Sequence, residues 1–390
     1  MAPLNRRKNL KNTGGKRARN NLKTSFLNNK LRKGVIMGFQ EKLGSEDAYK
    51  AEFPSTRYQG SKNDISNWIW SILQDYEFDS LVEPFSGTAA LGFEAKRHGK
   101  KVIVNDILAF NHRIGRSIIE NSEVQLTEED IEFILERHED IEYPTLIQDE
   151  FEDIYFTDEE NKWLDKVVTN IRNMEDKYKR AIAFSALGQA CLTKRPYNLF
   201  HRANLYMRTQ DVERSFGNKT TWEKPFPKAF KKYVDEFNRA VFDNERKNES
   251  FNKNVFDLEV NGDLVYCDLP YISEKSGGTN YKFYYHFLNG MINYESWKEN
   301  IDRSVKTKRL EHEKSVWNDK DRIHDAFDRL FEKFQDSIIA VSYNTHGIPS
   351  VEELKEIMGR YKENVRVEAK DYQYALSEAD DVQEVLIIGE

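Results

Sequence analysis

Apolar and polar positions repeat with two different periods along this chain, and the order of these periods predicts its architecture. Between residues 64 and 72 the apolar side chains recur at helical spacing, at positions 65, 68, 69 and 72. Short apolar runs at 81–82 and 102–106 predict two buried strands, and 89–98 between them predicts a helix. Strand, glycine-containing turn, helix and strand in this order are typical of the opening unit of a doubly wound α/β sheet.

The middle of the chain has a helical pattern instead. Thr127 with Asp130, and Thr157 with Glu160, have the spacing of capping boxes and predict two helices that begin at these threonines. The span 178–192 is apolar enough to be a packed helix. Because structureless loops of about 130 residues are uncommon in compact domains, we interpret 121–250 as a helical insertion with a function of its own.

Strand-like patterns return in the last third of the chain, and Ser350 with Glu353 predicts a helix cap between two of them. The predicted strands are 264–268, 337–342, 365–367 and 385–388. The sequence therefore predicts an α/β sheet domain that is interrupted by a mainly helical insertion. Its parts are a basic leader at 1–36, the first part of the sheet domain at 37–120, the insertion at 121–250 and the second part of the sheet domain at 251–390.

Composition excludes several classes of protein. The 24 Phe, 19 Tyr and 6 Trp among 390 residues argue against wholesale disorder, despite a mean hydropathy of −0.76. No apolar run approaches the roughly 20 residues that span a bilayer, and none follows the basic first residues as a secretory signal would require. We therefore expect a cytoplasmic protein in which Cys191 and Cys267 are reduced thiols, and no metal site.

Charge is distributed unevenly, which bears on where a polyanion would bind. Residues 1–40 contain eleven Lys or Arg and no acid, so the rest of the chain sums to about −18. From 191 to 232 there are ten Lys or Arg against three acids, interleaved with seven aromatic residues. We interpret this stretch as a nucleic-acid contact surface, and a solvated helix face with an apolar stripe is the alternative.

The basic leader has two interpretations. Residues 1–36 lack a periodic apolar pattern and are expected to be without structure. The codons for 33–36 could form a purine-rich ribosome-binding-like site, in which case translation starts at Met37. The alternative is a disordered arm that adds nonspecific DNA affinity.

The stretch from Leu264 to Tyr271 combines groups that suit an extruded nucleobase. An apolar strand there leads into Asp268, Pro270 and Tyr271. One strand end would thus present a carboxylate, a backbone carbonyl and a flat ring on which a base can stack. Turns of an acid and a proline after strands are common, so this stretch alone is weak evidence.

A second candidate site lies between residues 81 and 106. Gly87, in the turn after a strand, lets the backbone approach a ligand closely. Asp106 ends the next strand, 19 residues later, where an acid can bind the hydroxyls of a ribose. The turn lacks the G-x-G-x-x-G pattern of dinucleotide-binding proteins, and an ordinary strand-to-helix turn is the alternative.

Together with Arg57-Tyr58-Gln59-Gly60-Ser61-Lys62, these motifs resemble the D12 class of N6-adenine DNA methyltransferases, the group that includes Dam-like enzymes. The resemblance runs from Arg57 to the C-terminus in the family's order: this start, the Glu-Pro-Phe-x-Gly turn, Asn105-Asp106, a long insertion and an Asp-Pro-Pro-Tyr-like motif. Residues 372–377 followed by 385–389 look like the family's closing hairpin. The resemblance implies a Rossmann-like, S-adenosylmethionine-dependent methyltransferase sheet. It also implies that the insertion recognises the target in duplex DNA, whereas the sequence leaves open whether a restriction nuclease accompanies the protein in a restriction-modification system.

The resemblance also implies roles for single residues. The expected catalytic residues are Asp268, Leu269, Pro270 and Tyr271, with Asp268 facing the methyl donor and the target adenine. The expected residues around S-adenosylmethionine are Tyr58, Gly60, Lys62, Glu83, Phe85, Ser86, Gly87, Thr88, Asp106, Ile107 and Asp257. For Asp257 a surface strand-end acid is the alternative. The expected DNA contacts are Arg57, Arg195, Arg202, Arg208, Arg214 and Lys219.

One residue departs from the family's pattern. Leu269 stands where the family usually has proline, so the backbone carbonyl remains but the fixed φ is lost. We expect adenine N6-methylation in which Asp268 and this carbonyl accept the two amine hydrogens. A DNA-binding protein that has lost turnover, and a methyltransferase acting on RNA, are the alternatives. The expected partners are duplex DNA and a cognate restriction nuclease, and the expected state is a monomer or weak dimer.

Overall fold

The computed structural model describes residues 46–62, 65–210, 219–273, 277–311, 313–370 and 384–390. Its strands are β1 Ser80–Glu83, β2 Lys101–Asn105, β3 Glu249–Phe251, β4 Leu264–Cys267, β5 Ile272–Ser273, β6 Gly277–Gly278, β7 Ile338–Asn344, β8 Gly347–Ile348, β9 Val365–Lys370 and β10 Glu384–Gly389. Seven of them form one sheet in the order β3-β2-β1-β4-β7-β10-β9. Strand β10 is antiparallel to both of its neighbours, and the other pairs are parallel. The described residues therefore form a mixed α/β fold around a mostly parallel sheet.

The helices divide between the sheet and the insertion. They are α1 Glu46–Lys50, α2 Ser66–Leu73, α3 Ala90–Arg97, α4 Ala109–Gly115, α5 Glu128–Leu135, α6 Leu146–Glu150, α7 Asp158–Asn173, α8 Lys177–Thr193, α9 Tyr206–Thr209, α10 Lys219–Glu223, α11 Phe226–Arg239, α12 Tyr281–Tyr284, α13 His286–Ile292, α14 Tyr294–Trp297, α15 Ile323–Lys333 and α16 Val351–Met358. A π-helical turn, Arg116–Glu120, continues α4. The region 121–248 is helical as predicted, and β3 then returns the chain to the sheet beside β2.

Apolar side chains alternate between the two faces of the sheet, which explains the continuous hydrophobic runs of its strands. Leu81 and Leu264 pack into one apolar cluster, whereas Val82 and Val265 pack into the other. Because both faces are covered, these strands are buried throughout, as is usual for parallel sheets. The first cluster extends into the insertion, where it includes Phe184 of α8. The insertion thus shares a core with the sheet.

The predicted capping boxes are confirmed. In each, the side chain of the N-cap residue accepts from the backbone N–H three residues later, and the acid there accepts from the N-cap N–H. They begin α5 at Thr127, α7 at Thr157 and α16 at Ser350. Each satisfies backbone donors that the first helical turn leaves unpaired.

Some of the predicted features lie outside the part of the chain that the structure describes, and others can be located in it. The leader 1–36, the start at Met37 and the hairpin segment 372–377 lie outside the described residues. Cys191 and Cys267 are both buried and unpaired. Within the described ranges, every helix is too short or too polar to cross a bilayer.

The strand order reverses beside β1, which fixes where a ligand site is expected. The chain leaves β1 toward β2 and β3 on one side and later places β4 on the other. In open α/β sheets, ligands bind at such a switch point, outside the carboxyl ends of the strands. Glu83, Asn105 and Cys267 are the last residues of β1, β2 and β4.

Candidate active site

A cavity of about 450 Å³ opens at the carboxyl ends of β1, β2 and β4. Its lining includes every predicted catalytic residue and every predicted cofactor-binding residue except Asp257: Tyr58, Gly60, Lys62, Glu83, Phe85, Ser86, Gly87, Thr88, Asp106, Ile107, Asp268, Leu269, Pro270 and Tyr271. Its volume lies within the range typical of small-molecule sites. The structure thus brings three motifs, separated by up to about 200 residues, around one cavity.

Asp106 follows β2 and is held by three hydrogen bonds. The Gly87 N–H donates to one carboxylate oxygen at 2.9 Å, and the Asn111 amide donates to the same oxygen at 3.1 Å. The Leu108 N–H donates to the other oxygen at 2.8 Å. Burial raises the pKa of Asp106 to about 6, although these hydrogen bonds favour the charged form. The acid is therefore fixed in orientation at the turn that carries Gly87.

Glu83, at the end of β1, is buried and its side chain contacts helix α3. Its carboxyl accepts a hydrogen bond of 3.0 Å from the Gly92 N–H. A Cβ on Gly92 would lie 2.5 Å from that carboxyl oxygen, so glycine is required for this approach. Burial raises the pKa of Glu83 to about 8, and the charge of Asp268 adds to the rise. Glu83 is consequently protonated at neutral pH.

The segment 58–62 closes one wall of the cavity against α12 and α13. The ring of Tyr58 stacks on Tyr285 at 4.5 Å and on Tyr281 at 5.7 Å between centroids. The Gln59 N–H donates to the Tyr285 hydroxyl at 2.8 Å. Gly60 has a φ of +79°, and a Cβ there would lie 2.6 Å from the Tyr281 hydroxyl. The glycine of the predicted motif therefore serves both a left-handed turn and a close contact.

Asp268 follows β4 and faces a lysine and a second acid. The Lys62 ammonium lies 3.3 Å from Asp268 and 2.7 Å from Glu384, which begins β10. Burial raises the pKa of Asp268 to about 6, while the charge of Lys62 lowers it and that of Glu384 raises it. Asp268 is thus ionised at neutral pH and remains a better hydrogen-bond acceptor than an ordinary surface aspartate.

The residues after Asp268 divide between the core and the cavity. The side chain of Leu269 is 2% exposed and belongs to the second apolar cluster. The Tyr271 ring lines the cavity and meets Tyr343 edge-on, with 5.8 Å between centroids. The leucine side chain therefore has a packing role that the sequence did not reveal.

Two predicted DNA contacts are wrong. Arg195 is 1% exposed, its guanidinium donates to the carbonyls of Tyr155 and Arg202, and it lies over the Tyr155 ring. Arg208 is bound through both terminal nitrogens to Glu160, at 2.9 and 2.7 Å. Both cations are bound by groups of the insertion itself, so neither is available to a phosphate.

The other predicted DNA contacts keep their status as predictions. Arg57 and Arg202 are exposed. Lys219 begins α10, and Arg214 lies outside the described residues. The basic stretch from 191 to 232 is therefore partly a folded core and partly an exposed surface.

Asp257 is not among the residues that line the cavity. It is an exposed residue of a 3₁₀ turn, Val255–Asp257. Its contact with the cofactor therefore stays a prediction. The alternative of a surface strand-end acid agrees with its exposure but not with its position, because β3 ends at Phe251.

Sequence reasoning missed several residues of the cavity. They are Gln59, Ser61, Ile65, Ala90, Leu91, Leu108, Tyr266, Thr279, Tyr281 and Glu384. Some lie next to predicted residues and could have been included on that ground. Glu384 had one weak signal, an acid directly before the apolar run 385–388, and its contact with Lys62 joins residues 322 positions apart.

Comparisons with known proteins agree with this geometry. Residues 58–357 match the family model of the D12 class N6 adenine-specific DNA methyltransferase. Over 340 residues the chain is 28% identical to the type II methyltransferase M2.HphI of Haemophilus parahaemolyticus, covering 85% of this chain and 95% of that protein. It is 25% identical to the type II methyltransferase M.NlaIII of Neisseria lactamica, covering 78% and 88%. It is 24% identical to the modification methylase LlaI of Lactococcus lactis subsp. lactis, covering 85% and 54%.

Proposed function

The chain belongs to the D12 class of N6 adenine-specific DNA methyltransferases, and we propose that it takes the methyl group from S-adenosylmethionine and transfers it to an extruded adenine in the cavity described above. The observation that supports this assignment is the placement of Asp268, Tyr271 and Asp106 around one cavity. The cavity lies where β2 and β4 end, on the two sides of β1. Asp268 and Tyr271 suit a flipped base, and Asp106 suits a ribose.

The cavity has the groups that S-adenosylmethionine would require. Asp106 uses three of roughly four acceptor positions on protein donors, which leaves about one for a ribose hydroxyl. The Ser86 hydroxyl is buried in the cavity wall and has no hydrogen-bond partner among the described residues. A polar ligand would satisfy it, and Gly87 would allow close approach. When bound, S-adenosylmethionine supplies a methyl group on a positively charged sulfur.

The chain's own contribution to the chemistry is to activate the amine. The adenine amine is a poor nucleophile because its lone pair is delocalised into the ring. Asp268 and the Leu269 carbonyl would each accept one of its hydrogens, which lets the nitrogen become tetrahedral and makes the lone pair available. Fixed acceptors of this kind act through position and electrostatics. Stacking on Tyr271 would offset part of the few kcal/mol that extrusion from the duplex costs.

The relatives suggest a biological setting. Those described above are named as type II methyltransferases or a modification methylase. We therefore propose that this enzyme modifies DNA as part of a restriction-modification system with a cognate nuclease, and that it acts as a monomer or weak dimer. The exposed part of the insertion, together with Arg57, would contact the duplex.

The decisive experiment is transfer of a labelled methyl group from S-adenosylmethionine to duplex DNA, with the methylated base identified by mapping. Asp268→Ala should reduce single-turnover methylation by at least about 10³-fold while duplex binding persists, because the main charged acceptor is lost. Asp321→Ala is the matched control, since this exposed acid lies outside the cavity, and should be as active as the wild type. Turnover of the Asp268 variant within tenfold of the control would place the chemistry elsewhere.

A further inference from the structure

Glu384 belongs to the cavity although it lies at the far end of the chain from Lys62. It begins β10, is 1% exposed and lines the cavity wall. Its carboxylate accepts from the Lys62 ammonium at 2.7 Å and from the Ser342 hydroxyl of β7 at 2.5 Å. A buried carboxylate requires such partners, so the geometry of Glu384 is fixed by two strands and the 58–62 segment.

One ammonium is shared here between two carboxylates, and the sharing is unequal. Lys62 lies 0.6 Å closer to Glu384 than to Asp268, at 2.7 against 3.3 Å. The contact with Asp268 is therefore the weaker of two hydrogen bonds from the same ammonium, and a lysine paired only with Asp268 would approach its carboxylate more closely. Glu384 competes for that ammonium and holds it back.

We propose that Glu384 is a positioning residue for the methyl transfer: it draws the Lys62 ammonium away from Asp268 and thereby leaves the Asp268 carboxylate able to accept the hydrogen of the target amine. This inference rests on the proposed role of Asp268 and adds a residue to it. An ordinary structural role for Glu384, neutralising a buried lysine, predicts a loss of stability with an unchanged plateau rate of methylation in the folded variant.

The pKa of Asp268 depends mainly on two charged neighbours, Lys62 and Glu384. Besides Lys62 and Glu384, the titratable groups that act on it are Glu83 of β1, Tyr266 and Cys267 of β4, and Tyr281 of α12. Burial raises the pKa of Tyr266, of Cys267 and of Tyr281 well above neutral pH, and that of Glu83 to about 8. Between pH 5 and 7 all four are therefore uncharged, and Lys62 and Glu384 determine the local field.

The sign of the effect follows from these two charges. Burial raises the pKa of Asp268 to about 6, Lys62 lowers it and Glu384 raises it. Removing the charge of Glu384 takes away one raising influence and lets Lys62 pair more closely with Asp268. Both changes lower the pKa of Asp268. The acid limb of the methylation rate should then move to lower pH, and the plateau rate should fall because a less basic acceptor activates the amine less.

The test is the single-turnover methylation rate from pH 4.5 to 8, with saturating S-adenosylmethionine and duplex DNA. Glu384→Gln keeps the shape and the hydrogen-bond acceptor without the charge. We expect its acid limb to move down by about 0.5–1 pH unit and its plateau to fall by roughly 3- to 30-fold, as for a charge within contact distance. Glu384→Asp keeps the charge on a shorter side chain, so its limb should lie between those of Glu384→Gln and the wild type. Glu249→Gln, in the edge strand β3, is the matched control and should leave the profile unchanged.

The outcomes separate this inference from the proposed function. A plateau rate that stays at the wild-type value in both Glu384 variants overturns the positioning role, wherever the acid limb lies. If Glu384→Gln does not fold, the plateau rate of Glu384→Asp decides, and we expect it to lie below that of the wild type. Full activity of Asp268→Ala would instead refute the proposed chemistry, independently of Glu384.

Discussion

Leu269 has a buried side chain, and we propose a second role for its backbone carbonyl, as an acceptor for the target amine. The family's usual proline would fix the backbone, whereas the leucine packs into the second apolar cluster and is 2% exposed. If only the carbonyl takes part in the chemistry, the side chain matters for stability and not for rate. Substitutions at this position can therefore tell the two functions apart.

We expect Leu269→Pro to hold or raise the single-turnover methylation rate, because a fixed φ reduces the conformations that compete with the productive one. The same change should lower the free energy of unfolding by about 1–3 kcal/mol, since buried methyl groups are lost. Leu269→Met, which conserves volume, should leave both quantities nearly unchanged. A proline variant that is folded but inactive, beside an active methionine variant, would show that the carbonyl argument fails.

At the level of single residues, short motifs predicted which residues lie around the same cavity. Gly87, Asp106 and Asp268 lie in one cavity because each follows the end of a strand within its own motif. Arg195 was misassigned for the opposite reason. Its charge is visible in the sequence, but the carbonyls and rings that bury it come from residues up to 40 positions away.

Among the secondary-structure elements, the start of α7 contains a residue, Glu160, that takes part both in a helix cap and in buried ion pairs. Glu160 completes the capping box with Thr157, and it also binds the buried cations Lys194 and Arg208. Burial alone would raise the pKa of Glu160, but Arg208 and Lys194 hold it below its ordinary value. The capping box was predictable from a spacing of three residues, whereas the ion pairs depended on how the insertion folds.

We expect Thr157→Ala to lower the free energy of unfolding by about 1 kcal/mol, as for the loss of a helix cap. Glu160→Ala should cost about 3–5 kcal/mol, because it leaves two buried cations without their carboxylate. Urea unfolding followed by circular dichroism measures both. Because the pKa of Glu160 is depressed in the folded state, its contribution should be complete above the unfolded value of about 4.3 and should disappear as the pH falls below it.

The capping box of α16 provides the matched control. Its acid, Glu353, is half exposed and faces His324 at the surface. Ser350→Ala and Glu353→Ala should therefore have similar and small effects, of about 1 kcal/mol each. If Glu160→Ala were no more damaging than Glu353→Ala, the buried ion pairs of the insertion would have no net stabilising role.

For the molecule as a whole, the order of elements was predictable and the closure of the site was not. Continuous apolar runs predicted β1, β2, β4, β7 and β10, because the strands of a sheet that is covered on both faces are hydrophobic throughout. Which strand lies beside which depends on contacts across the chain. Glu384 reaches Lys62 because β10 inserts between β7 and β9, an arrangement that no local pattern encodes. The core that the sheet shares with the insertion likewise depends on contacts between residues that are far apart in the sequence.

The acidic character of the molecule makes its DNA contacts testable. The chain has a formal charge of −7, so binding to a polyanion requires local positive surfaces. Arg57 is exposed beside Tyr58 of the cavity wall, and its segment is fixed to α8 by the Arg57 N–H, which donates to Gln189 at 2.7 Å. Arg202 is exposed two residues after Phe200, whose N–H donates to Tyr284 of α12 at 3.0 Å. Both guanidinium groups therefore belong to segments that adjoin the cavity.

We expect the double substitution Arg57→Ala with Arg202→Ala to weaken duplex binding by at least about tenfold at moderate salt, and to reduce the slope of log affinity against log salt by about two, because each lost phosphate contact releases one fewer counterion. Fluorescence anisotropy at several salt concentrations measures both quantities. Arg246→Ala is the matched control. This exposed arginine donates a hydrogen bond to the Gly99 carbonyl near the amino end of β2, whereas the cavity lies at the carboxyl ends of the strands. The affinity and slope of this variant should equal those of the wild type. An unchanged slope in the double variant would mean that the duplex approaches the cavity over another surface, and the remaining basic residues of α10 and α11 would then be the ones to replace.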